Sequence, residues 1–138
     1  MKIIAFNFDK ISIEKKPKQI PGGLKINSDI QILDVSQSKS DVFKSKDDLV
    51  VFSFKYIIKY EPDFADLEFM GKVVLSMDPK ISKKVTKEWK EKKIPSEVQI
   101  SLFNTIIRKT SVKALELEDS LGLPYHVPMP SLKADQKS

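Results

Sequence analysis

Any chemistry in this chain would have to be built around a single histidine. His126 is the only one among 138 residues and cysteine is absent. A histidine-rich metal site, thiolate ligands, cysteine nucleophiles, disulfides and redox motifs are therefore excluded together. A serine triad would have to recruit His126 from a proline-bearing tail; the plainer expectation is that it packs or hydrogen-bonds. Carboxylates gather at Glu116, Glu118 and Asp119, but helical spacing turns those positions mostly to solvent beside Lys113, and no second acid or metal motif accompanies them. Gly22 and Gly23 follow Pro21 in a turn setting with no helix behind them, which is not a phosphate-binding loop. Phe52, Phe54 and Tyr56 alternate as a base-stacking platform would, yet they belong to a longer apolar row and read as core. The expectation is a protein that is not an enzyme and uses neither cofactor nor metal.

The net charge of +5 is local. Residues 80–93, KISKKVTKEWKEKK, carry Lys80, Lys83, Lys84, Lys87, Lys90, Lys92 and Lys93 against Glu88 and Glu91, which accounts for the whole excess. Of 24 basic residues only Arg108 is arginine, so forked guanidinium contacts with phosphates or guanine edges are scarce. Two readings stay open. The lysines form a solvated helix face, or Lys80, Lys83, Lys84, Lys87 and Lys90 bind polyanions without sequence preference.

Whatever these residues do, strands and then helices must position them. In the first strand Ile4, Phe6 and Phe8 share a parity that Ile11 and Ile13 do not, which predicts a bulge near Asp9 and Lys10. After a loop around Pro17, Pro21, Gly22 and Gly23, Leu24, Ile26, Ile30 and Ile32 alternate with polar residues as a half-buried antiparallel strand does. A polar stretch from Ser36 to Asp48 contains the apolar pair Val42–Phe43, which either anchors the loop to the core or lines a groove. Val50, Phe52, Phe54, Tyr56, Ile58 and Tyr60 form a period-2 row suited to a central strand, broken by Glu61, Pro62 and Asp63. Ala65, Leu67, Phe69, Val73 and Leu75 form a fourth row with Gly71 in its middle, and a hairpin joins the two.

Asp78 and Pro79 suit the cap and first position of a helix whose stripe is Ile81, Val85 and Trp89. Pro95 ends it, and Ser96 with Gln99 matches a capping box for a second, long helix. That helix shows an apolar face of Ile100, Phe103, Ile107, Ala114, Leu117 and Leu121, widened by Val98, Leu102, Ile106 and Leu115. Gly122 suits a left-handed cap, and Pro124, Pro128 and Pro130 keep the tail extended. The fold class expected is α+β: a four-stranded antiparallel sheet followed by two C-terminal helices packed on it. Residues 1–130 read as a single domain and 131–138 as a flexible tail. The N-terminus is too short and polar for a signal peptide, and no run approaches about 18 apolar residues; a cytoplasmic protein without membrane insertion is expected.

Four antiparallel strands, a long polar crossover after the second, then a short and a long helix resemble the layout of the SecB-like export chaperones. FADLEFMGKVVL, residues 64–75, is similar to that family's fourth strand, and LELEDSLGLPYHVPMP, residues 115–130, resembles the helix end and proline-bearing tail of its archaeal-type members. The resemblance spans nearly the whole chain. It implies an ATP-independent holdase, a homotetramer built as a dimer of dimers, that binds unfolded polypeptides in apolar grooves between sheet and helix. By position the groove would draw on Ile32, Leu33, Val35, Val42 and Phe43, with Phe103 and Ile107 from the long helix. Bacterial export members are acidic and dock the translocase motor through that charge, whereas this chain is basic through one helix and ends in LKADQKS. A general or toxin–antitoxin-associated role thus fits its residues better than protein transport. Two other functions compete with it: a nucleic-acid-binding module using residues 80–93, and a structural adaptor for one fixed partner.

Overall fold

The computed structural model describes residues 1–38 and 46–130. Val42 and Phe43 lie outside the described residues, as does the 131–138 tail. Strands β1 (Lys2–Lys15), β2 (Lys25–Ser38), β3 (Asp48–Glu61) and β4 (Ala65–Met77) precede helices α1 (Pro79–Trp89) and α2 (Ser96–Leu121). The strands form one antiparallel sheet in the order β1-β4-β3-β2, and the fold is α+β as expected.

The period-2 row of β3 explains its inner place. Val50, Phe52, Phe54, Tyr56, Ile58 and Tyr60 are all buried on the face that the helices cover, as are Leu67, Phe69, Val73 and Leu75 of β4. Burying side chains of this size stabilises by roughly 1.5–3 kcal/mol each, which is why this pair occupies the middle. The β3–β4 hairpin turns through a cis Glu61–Pro62 bond and Asp63. The chain crosses the sheet between β1 and β2, through residues 16–24; the polar segment after β2 joins adjacent strands and is not the crossover.

β1 carries the expected bulge, a register shift between Phe8 and Lys10, and a second between Ile3 and Ala5. Phe8 and Phe54 face each other across Gly71. A Cβ at position 71 would collide with the Asn7 carbonyl oxygen and come within 3.0 Å of the Phe54 ring. The absent side chain lets Phe6, Phe8 and Phe54 cluster, with ring centroids 5.1–6.4 Å apart. On the opposite face Glu68 binds Lys55 at 3.2 Å and Lys10 at 3.7 Å, tying three strands together.

α1 starts as expected, with the Asp78 carboxylate accepting from the Lys80 amide at 2.8 Å and Pro79 beginning the helix. The capping box does not form: Pro95 is the cap residue of α2, Ser96 is already helical, and no side chain caps the end. Pro95 supplies its carbonyl to the Val98 and Gln99 amides instead. α2 also rolls away from its most apolar stripe. Its buried row is Val98, Leu102, Ile106, Thr110, Ala114 and Glu118, whereas Ile100 is 65% and Ile107 40% exposed. The i,i+4 row is set by what the sheet beneath can accommodate, and two polar members disguise it in the sequence. Gly122, with φ 66°, ends the helix as expected, and Lys15 from β1 donates to the Leu121 carbonyl at 2.7 Å.

Candidate functional site

β2 is an outer strand, and one extra residue in it shapes the surface alongside. Ile32 pairs with Phe54 and Asp34 with Ser53, so Leu33 is inserted between two regular pairings. Such a bulge reverses side-chain parity. Val35 consequently shares the inner face with Ile26, Ile30 and Ile32, half-buried against the core, while Leu33 is left 43% exposed. Ile32 and Leu33 then form one wall of a cleft of about 650 Å³, closed on the other side by Trp89, Ile94, Pro95 and Phe103. Phe103 also lines a second depression of about 280 Å³ with Ile107, Ile30 and Tyr56. Phe103 is common to both linings, which together lie beside residues 28–33 of β2.

Of the expected groove residues, the structure brings Ile32, Leu33, Phe103 and Ile107 into these linings. Val35 packs on the core and is not part of either lining. Lys80, Lys83, Lys84, Lys87 and Lys90 are exposed along α1, with Lys84 3.6 Å from Glu97. The end of α1 and the turn to α2 contribute residues that sequence reasoning did not assign to the groove: Glu88 and Trp89 from the helix, and Lys92, Lys93 and Ile94 from the turn. Trp89 closes the stripe begun by Ile81 and Val85, but the buried Val85 is a packing residue and Trp89 sits at the cleft with the Lys92 ammonium 4.6 Å from its ring centroid. A lone tryptophan at the end of an amphipathic stripe, followed by Lys90, Lys92 and Lys93, was the signal available.

A second constellation lies at the far end of α2. Glu118 is completely buried, a correction to the expectation that it faces solvent, because its position continues the packed i,i+4 row. Its oxygens lie 2.8 and 3.0 Å from His126 Nδ1, and Oε1 also accepts the His126 backbone N–H at 3.1 Å. His126 Nε2 lies 3.4 Å from Ser111 Oγ. Tyr60 donates to the Pro124 carbonyl, and burial, then the nearby Glu118 carboxylate, raise the phenol's pKa well above its ordinary value. Serine, histidine and a carboxylate in this order are the parts of a hydrolase triad. Here Ser111 sits mid-helix, where the amides of its own turn are committed to the ladder and not free to hold an oxyanion. The contacts clasp the proline-bearing tail to the domain, as the packing role expected of His126 requires. No cluster of metal-ligating residues occurs among the described residues, and no helix among them is long and apolar enough to cross a membrane.

No protein-family model matches the sequence, and no curated protein matches it. Among solved structures, the chain is similar in fold to the SecB-like chaperone Rv1957 of Mycobacterium tuberculosis, solved in complex with a ChAD peptide from the Rv1956 HigA1 antitoxin. The TM-score is 0.51 at 14% identity, over 98% of this chain and 92% of that one.

Proposed function

We propose that this protein is an ATP-independent holdase-type chaperone that takes extended, non-native polypeptide segments into the groove beside β2. The observation that carries this reading is a pair of depressions that share Phe103, lined by the apolar side chains of Ile32, Leu33, Trp89 and Ile107 beside an outer strand. An extended chain needs apolar pockets for alternate side chains and a strand edge whose backbone groups are open to pairing, and this surface offers both. It demands no nucleophile or cofactor. The similarity in fold to a chaperone solved with a bound peptide supports the same reading, as does a sequence that resembles the SecB-like family from its fourth strand to its tail.

The assembly we propose is a homo-oligomer, a dimer of dimers, in the cytoplasm. Ile3 and Ile11 pair inward in register with Leu75 and Phe69 yet remain 48% and 38% exposed. With the outer edge of β1 they form a surface that a second copy would cover.

The test combines mass and client protection. Light scattering should give a multiple of the 15.8 kDa chain mass, and the protein should slow aggregation of a chemically unfolded client without nucleotide. Phe103→Asp, placing a charge in the groove, should abolish protection while leaving the circular dichroism spectrum unchanged. A folded monomer with no effect on aggregation would overturn the proposal.

A further inference from the structure

The turn between α1 and α2 adds a selection rule to the cleft. Both helices end in the same hydrogen-bond pattern. For α2, Gly122 N–H donates to Asp119 O at 3.3 Å and Leu123 N–H to Glu118 O at 2.8 Å. For α1, Lys92 N–H donates to Trp89 O at 2.8 Å and Lys93 N–H to Glu88 O at 3.1 Å. This closure needs a left-handed residue, for which glycine is the unstrained choice. α2 uses Gly122 at φ 66°, but α1 uses Lys92 at φ 60°. A side chain in that conformation strains the backbone, and such strain persists where the surroundings or the function hold it.

What the strained lysine gains is position. Its ammonium stands over the Trp89 ring, and Lys92 and Lys93 both line the cleft beside Ile32, Leu33 and Ile94. Among the described residues Lys93 has a distant, exposed partner in Glu91, at 4.0 Å. Lys87 and Lys90 add positive charge on the adjoining turns. The carboxylate in the lining, Glu88, has its Oε2 buried without a hydrogen-bond partner among the described residues. The cleft thus combines apolar walls with a cationic mouth at one end.

We propose that the segment this cleft prefers is an extended apolar stretch flanked on one side by aspartate or glutamate, whose carboxylates are held by Lys92 and Lys93. The inference rests on the reading of the groove as a polypeptide site, and it names the chemistry of the occupant. Charge complementarity selects it: a flank of lysine or arginine would meet like charge at the mouth.

Two fluorescent peptides with one apolar core, carrying a run of glutamates or a run of lysines at one end, are titrated against the full chain by fluorescence polarisation. The glutamate peptide should bind more tightly by about three- to tenfold, the worth of one or two partly exposed ion pairs, and the gap should narrow with added salt. Lys92→Gly should hold or raise the thermal midpoint, since it relieves the turn, and yet weaken the glutamate peptide alone. Lys92→Glu with Lys93→Glu should reverse the preference. Equal binding of both peptides would overturn the charge rule and leave the groove intact; binding of neither would overturn the groove itself. An oligoribonucleotide that displaces the glutamate peptide at lower concentration than unlabelled peptide would assign the lysines to nucleic acid and end the proposal.

Discussion

His126 Nδ1 lies 2.8 Å from a carboxylate oxygen of Glu118, and both side chains are buried at the junction of helix and tail. Removing one partner of such a pair leaves the other without compensation. His126→Ala should therefore cost about 1–3 kcal/mol, a measurable share of the roughly 5–15 kcal/mol that holds a domain of this kind folded. Glu118→Gln keeps an acceptor for the His126 amide and should cost less. Urea unfolding of both variants checks the order; a change within about 0.5 kcal/mol for His126→Ala, the range of surface substitutions, would show that the tail is not clasped.

Tyr60 predicts an alkaline limb. Its pKa is raised above 10.0, so the folded state favours the neutral phenol. The stability that it contributes is complete below that ordinary value and declines as pH climbs past it. Tyr60→Phe should lower stability at neutral pH by about 1–3 kcal/mol, because it leaves the Pro124 carbonyl unpaired, and should flatten the dependence above pH 10.0. Thermal midpoints across that range, compared with the parent, would disprove this if the two slopes matched.

Glu68 predicts the acidic counterpart. The hydrogen bond from Lys55, with the charge of Lys10 added, holds its carboxyl below 4.5. Its contribution is present above that value and lost as pH falls through the lowered one. The group is open to solvent, so the effect should be small and salt-sensitive. Glu68→Gln should shrink the acid-dependent loss of stability at low ionic strength and make little difference in high salt.

Gly71→Ala tests the close approach of β1. The added methyl meets a backbone carbonyl on one side and the Phe54 ring on the other. Neither yields cheaply, and overpacking of this sort costs about 1–3 kcal/mol. Hydrogen exchange should accelerate first in β1 amides, because that outer strand can be displaced without unpairing β3 from β4.

Much of the fold was legible because parity in strands is a strong signal. Val50 to Tyr60 declared an inner strand, the misaligned Phe8 and Ile11 declared a bulge, and Gly122 marked where α2 ends. What stayed hidden involved local choices that tertiary packing overruled. Thr110 and Glu118 interrupt the row that α2 buries, so the more apolar stripe through Ile100 and Ile107 looked like the packed face. The shape of the groove was half legible. Ile32, Leu33, Phe103 and Ile107 were assigned to it from the family resemblance, whereas Trp89 ends α1 and Lys92 comes from the turn behind it, whose left-handed lysine has no compositional signature. The crossing connection followed β1 because strand order depends on long-range pairing that no short window encodes.

Leu33 is the one residue of β2 that the ladder with β3 does not count: Ile32 and Asp34 take consecutive partners on either side of it. Deleting it would leave every other pairing of the strand in place and keep Val35 turned inward. The surface beside β2 can therefore change by the gain or loss of a single codon without turning the strand's inward residues outward, so that diversification of binding need not begin with substitutions in the core.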